Sequence, residues 1–147
     1  MAAALTVRRR TLLVRGRPLA LYSGEFHYFR VPRREWPQRL EQARRLGLNA
    51  IGFYIPWLWH EPTPGRFDFN GRSHPQRDLQ GFLSLLKRLG FYAFARLGPM
   101  CHGELTDEGL PAWLLNAHPD IRLRQADRSV HPHRGLVSMG TRPIARS

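Results

Sequence analysis

The stretch Asp78–Met100, DLQGFLSLLKRLGFYAFARLGPM, contains a helix, a stop and a strand in succession. Leu79, Phe82, Leu83, Leu86 and Leu89 recur at helical steps and predict an amphipathic helix over 79–89. Asp78 is placed as its N-cap, and Gly90 ends it. The apolar run that follows predicts a strand over 91–96. The same order stands upstream. Trp36, Leu40, Ala43 and Leu46 predict a helix over 33–46, Gly47 stops it, and NAIGFYIPW continues as a strand over 49–54.

Working outward, LALYSGEF reads as a buried strand over 19–27. Residues 5–22 alternate apolar and basic side chains around the turn signal RGRP, which predicts a short β-hairpin within residues 1–18. LPAWLLNA, entered through Pro111, predicts a short helix. Strand, helix, strand, helix, strand, with strands too continuously apolar to have a wet face, is the pattern of an α/β parallel sheet covered by helices. Doubly wound folds and (β/α)8 barrels both begin this way, and both gather their chemistry at the C-terminal ends of the strands. Those ends are EFHYFR, YIPWLWHE and RLGPMCHGE. From Arg128 to Ser147 the chain carries no acid and no apolar period, which predicts an irregular basic tail outside the packed unit.

Composition narrows the function classes. With 42% hydrophobic and 11% aromatic residues, the 147-residue chain can bury a core and is not disordered by composition. Cys101 is the one cysteine, so no disulfide framework exists within the chain. Arginines interrupt the N-terminal apolar residues, which leaves no signal-peptide core, and no run is long enough for a membrane span; the expected compartment is the cytoplasm. The net charge of +12 rests on arginine, with Lys87 the only lysine. Charge alone would suggest a nucleic-acid binder. The arginines are spread through amphipathic segments, without aromatic-interleaved basic strands, and the expectation is neither a nucleic-acid nor a membrane partner. His27, His60, His102 and Cys101 lie near strand ends, but none has the close spacing of a zinc motif, so neither metal nor cofactor is expected. Ser23 lacks a nucleophile elbow.

Three blocks carry a resemblance: HYFRVP (27–32), YIPWLWHEPTPGRFDF (54–69) and RLGPMCHGELTDEGLPAWL (96–114). In this order and spacing, Leu19–Asp127 resembles the start of the glycoside hydrolase family 35 catalytic domain, the β-galactosidase family. The resemblance implies about three βα units of a (β/α)8 barrel that hydrolyses terminal β-linked galactose, or a related sugar such as glucosamine, with retention. It also implies a carbohydrate partner. Retaining hydrolysis needs two carboxyl groups roughly 5–5.5 Å apart. In the family these follow the fourth and seventh barrel strands, the acid/base in an Asn-Glu pair. Asn49, Asn70 and Asn116 are each followed by another residue, so the catalytic pair is expected beyond the C-terminus and the chain reads as an inactive N-terminal portion.

By the same resemblance, Tyr54 and Glu104 are expected to hold sugar hydroxyls, with His102 and Gly103 in the same loop. His102 and Gly103 replace the cysteine and alanine usual there, and Met100 and Leu105 stand where aromatics are usual, which loosens the assignment to galactose. Arg30 and Trp57 are expected as support. His60 and Glu61 are expected to fix their loop, and Asp107 and Glu108 to be solvated. A non-catalytic carbohydrate-binding or complementing module is the alternative reading, and a basic nucleic-acid-binding protein the second.

Overall fold

The structure is a computed structural model that describes residues 5–138. Two sheets form. The first is an antiparallel meander of β1 (Leu5–Arg8), β2 (Thr11–Val14) and β3 (Arg17–Pro18). It corrects the expected hairpin: the chain turns twice, at Arg9–Arg10 (φ 45° and 66°) and at Arg15–Gly16 (φ 50° and 76°). Left-handed backbone at both residues of a two-residue loop gives the twist that antiparallel strands need. Pro18, which has no N–H to donate, sits in an edge strand.

The second sheet contains β4 (Ser23–Glu25), β5 (Ala50–Ile55) and β6 (Tyr92–Leu97), all parallel, with β5 in the middle. The helices are α1 (Trp36–Arg45), the single turn α2 (Trp57–His60), α3 (Leu79–Arg88) and α4 (Ala112–Ala117). The strand expected over 19–27 is confined to three residues. The Asn49 amide explains its late start: it accepts from the Tyr22 N–H at 2.9 Å and donates to the Ala20 carbonyl at 2.8 Å, giving these backbone groups a side-chain partner.

Both helix stops follow one rule. Gly47 (φ 88°) and Gly90 (φ 78°) take the left-handed conformation, and the next N–H reaches back into the helix, Leu48 to Ala43 at 3.2 Å and Phe91 to Leu86 at 3.0 Å. Asp78 caps α3 by accepting from the Gly81 N–H at 2.8 Å, and it also accepts from Arg33 at 2.9 and 2.5 Å. One carboxylate thus starts α3 and ties it to the approach of α1. Tyr28, Trp36, Leu40, Ile51, Phe53 and Phe82 form the core on this helix-covered face. The Phe82 ring lies 5.0–5.4 Å from those of Tyr28, Phe53 and Trp36, within aromatic packing distance.

Further expectations need correcting. Leu46 is 84% exposed, because α1 has already ended there. On α3 it is Leu85, not Leu83, that is buried. The third strand is not buried: Phe94 is 55% and Leu97 75% exposed on β6, which pairs on one side only among the described residues. The segment expected as a free tail from 128 folds back as far as it is described. Arg124 bridges Val130, Arg122 bridges Val137, and Val137 is buried with Leu110, Leu114, Leu115 and Ile121. The remainder of that stretch, 139–147, lies outside the described residues. Among the described residues no helix is long and apolar enough to cross a membrane.

Candidate functional site

Strand alternation sorts the side chains of β5. Ile51 and Phe53 enter the core, whereas Gly52 and Tyr54 take the other face. The register sets Glu25 and Phe94 on either side of Gly52, and Arg96 beside Tyr54. On this open face the three strand exits meet. The Arg96 guanidinium lies 3.8 Å from the Tyr54 ring centroid and donates to the Tyr54 hydroxyl at 3.1 Å. It also donates to the Glu25 carboxylate, whose Oε2 is 3.4 Å from His27 Nε2.

Arg30 completes the group from the other side. It donates to His27 Nδ1 at 3.1 Å, to the Glu104 carbonyl at 3.1 Å and to the Gly103 carbonyl. A guanidinium can only donate, so His27 Nδ1 accepts and its proton sits on Nε2. Gly103 is a close approach: a Cβ there would lie 3.4 Å from Tyr54 Cδ2 and 3.7 Å from His27 Cε1. The loop backbone therefore runs along the edge of the Tyr54 ring. Glu104 has φ 47°, and its side chain is 91% exposed with Oε2 3.7 Å from Arg30.

The structure brings Tyr54, Gly103, Glu104 and Arg30 into one group and leaves two other candidates out of it. The His102 ring pairs with Glu108 at 3.2 Å. Trp57 turns away, donating to Glu61 at 2.5 Å and meeting Trp113 edge-on at 6.0 Å. Trp57 and Trp113, with Phe67, Phe69, Leu97 and Glu61, line a separate cleft of about 600 Å³. Sequence reasoning missed Glu25 and Arg96. Their signal was available: each is a charge placed in a strand of otherwise small or apolar residues, where a charge is rare unless paired.

The supporting loops hold buried polar groups that pair within them. His60 Nδ1 faces the Asp68 carbonyl at 2.5 Å and must donate, so Nε2 accepts from the Tyr28 hydroxyl at 2.5 Å. Burial holds this imidazole below its ordinary range, in the neutral form. Burial also raises the Tyr28 phenol well above its usual value. Burial works against the Asp68 carboxylate, but donors from Ser73, Asn70 and Arg72 outweigh it and hold the group well below the carboxylate range. Glu61 accepts from Trp57 and, at 2.6 Å, from the Gly65 N–H. His60 and Glu61 thus fix their loop. Burial pushes the Cys101 thiol up to about 11, so it stays protonated at neutral pH.

Asp107 and Glu108, expected to be solvated, are not. Glu108 takes His102 and His133 at 3.2 Å each, and Asp107 lies 3.6 Å from Arg134, which clamps 131–135 onto the loop. Among the described residues no group of three or more His, Cys, Asp or Glu could hold a metal ion.

The three strand exits thus bring Tyr54, Arg30 and Arg96 together with the Glu25 and Glu104 carboxylates. Residues 11–133 match the family described as Glycosyl hydrolases family 35. The chain belongs to that family. It is 48% identical over 111 residues to an exo-beta-D-glucosaminidase of Pyrococcus horikoshii, covering 76% of this chain and 14% of that protein. It is 42% identical over 123 residues to a beta-galactosidase of Mus musculus, covering 84% of this chain and 18% of that protein. Among solved structures, a beta-galactosidase from the psychrophilic Marinomonas ef1 superposes with a TM-score of 0.59 at 18% identity, over 76% of this chain and 15% of that one, a likeness of fold. The chain thus spans less than a fifth of these relatives.

Proposed function

We propose that this chain forms the first βα units of a (β/α)8 glycoside hydrolase domain and supplies one wall of its sugar pocket. The observation that carries the reading is the convergence of Tyr54, the Arg30-held loop and the exposed Glu104 carboxylate at the ends of three parallel strands. Glu104 can accept two sugar hydroxyls, and charged hydrogen bonds of this kind are about twice as strong as neutral ones. Tyr54 offers a hydroxyl and a ring edge. The backbone of Gly103 is close enough for a sugar to approach the tyrosine. The substrate class is a terminal β-linked sugar, galactose or glucosamine, as in the names of the relatives.

Hydrolysis with retention would proceed through two carboxylates flanking the glycosidic bond. No Asn-Glu pair occurs in these 147 residues, so this chain contributes recognition, and the carboxylate pair belongs to other parts of the domain. The flank of β6 that is unpaired among the described residues supports a sheet that continues with further strands. Equilibrium binding of methyl β-D-galactoside and of glucosamine to the full chain tests the proposal. The expected result is measurable binding of at least one sugar, weakened about tenfold by Glu104→Gln, the loss of one charge-assisted bond. Equal affinity of the variant would overturn it. A chromogenic β-galactoside should not turn over; turnover abolished by Glu104→Gln would contradict the assignment of this chain to recognition alone.

A further inference from the structure

We infer that Glu25 is a positioning residue for Tyr54, acting through Arg96, and that it fixes the tyrosine hydroxyl as a hydrogen-bond donor. The inference rests on the sugar-site reading for its functional meaning, but its geometry stands separately. Arg96 Nη1 donates to the Tyr54 oxygen at 3.1 Å, and the guanidinium covers the ring at 3.8 Å. Because the guanidinium has no acceptor, the Tyr54 oxygen fills one lone pair with this bond, and its own O–H points elsewhere, free to donate. A donor is what a sugar hydroxyl or ring oxygen can receive.

Arg96 is a long side chain on an open strand and would otherwise sample many rotamers. Glu25 removes that freedom by taking Nη2 from the neighbouring exit. Glu25 is in turn held near His27 Nε2–H at 3.4 Å, and His27 Nδ1 by Arg30 at 3.1 Å. A polar path therefore runs from the Gly103–Glu104 carbonyls through Arg30, His27, Glu25 and Arg96 to Tyr54, hydrogen-bonded at every step except the 3.4 Å His27–Glu25 approach, where Nε2 makes no hydrogen bond. Gly52 is the space that permits it. A Cβ at Gly52 would stand 2.9 Å from Glu25 Oε1, so any larger residue there would push the carboxylate off its path across β5 to Arg96. Arg96 and Glu25 are the charged residues that strands β6 and β4 carry on this face; Gly52 is the β5 partner of Glu25, two residues before Tyr54, the β5 partner of Arg96.

The test is NMR of the full chain with ring-labelled tyrosine, comparing wild type with Glu25→Gln. Tyr28, buried in the core, reports the fold, and Tyr54 reports the site. With no sugar present, the expected result is a changed Tyr54 ring signal beside an unchanged Tyr28 signal. If both signals stay as in wild type, the positioning role is overturned. If Glu25→Gln alters Tyr28, Gly52→Ala replaces it, since this variant keeps every polar group and displaces only the Glu25 carboxylate. A Tyr54 signal unmoved by Gly52→Ala also overturns the role. Adding methyl β-D-galactoside or glucosamine then separates the two readings. Binding that weakens about tenfold in Glu25→Gln, one charge-assisted bond's worth, supports both. A Tyr54 response without any sugar binding in wild type upholds the positioning role and removes the sugar reading for this chain.

Discussion

β5 and β6 are neighbours of equal length, each entered from a helix through the same leucine–glycine step, Leu46–Gly47 and Leu89–Gly90. AIGFYI and YAFARL look alike in hydropathy. Yet β5 holds Ala50, Ile51 and Phe53 at 0–1% exposure, while β6 leaves Phe94 at 55% and Leu97 at 75%. The difference is face and position. Ile51 and Phe53 lie under α1 and α3, whereas Phe94, paired with Gly52, lies on the open face; and β5 has a strand on each side, while β6 has a partner on one edge only among the described residues. Burial belongs to a residue's place in the sheet, and composition alone does not set it.

Substitutions sharpen this contrast. Phe53→Ala removes a fully buried ring in contact with Tyr28 and Phe82 and should cost about 3–5 kcal/mol, enough to unfold a marginal domain. Phe94→Ala, on the open face of β6, should shift stability by no more than about 0.5 kcal/mol. Urea denaturation of the two variants side by side measures the gap; equal losses would mean that β6 is covered in solution. Asp78→Ala comes next, at about 1–2 kcal/mol, because it removes the α3 cap and frees Arg33. The expected signature is a lower urea midpoint that Asp78→Asn, which keeps a capping oxygen, partly restores.

The smallest effects are in pH. His60 is kept neutral by burial, so the unfolded chain binds a proton that the folded chain refuses once pH drops below its ordinary value of 6.5. Asp68 has its pKa depressed, so its contribution is present above the ordinary value of 3.8 and is lost as pH falls further. Thermal melts from pH 8 downward should therefore show a first decline beginning near 6.5, flattened in His60→Asn, and a second below about 4, absent in Asp68→Asn. A melting temperature flat between pH 8 and 5 would contradict the buried Tyr28–His60–Asp68 chain.

Much of the fold was legible because it is local. Helical steps, Asp78 and the two glycine stops bounded α1 and α3 to within a few residues, and three apolar runs marked the parallel strands. What failed depended on distant partners. The Asn49 amide delayed β4, the open side of β6 exposed its phenylalanine, and Val137 returned to a second apolar cluster with Ile121. The site divided the same way. Tyr54, Gly103 and Glu104 sat in recognisable blocks and do share one group with Arg30, whereas His102 and Trp57, from the same blocks, turn to other partners. Glu25 and Arg96 went unassigned because their pairing crosses three strands, and no local spacing encodes it.

The proposed sugar-binding wall lies at the open ends of the three parallel strands. Residue-by-residue chemical-shift mapping of the full chain, titrated with methyl β-D-galactoside and with glucosamine, tests it most directly. Shifts should centre on Tyr54, His27, Gly103 and Glu104 and saturate together. Shifts centred instead on Trp57, Phe69 and Trp113 in the neighbouring cleft, or none at any residue, would contradict it.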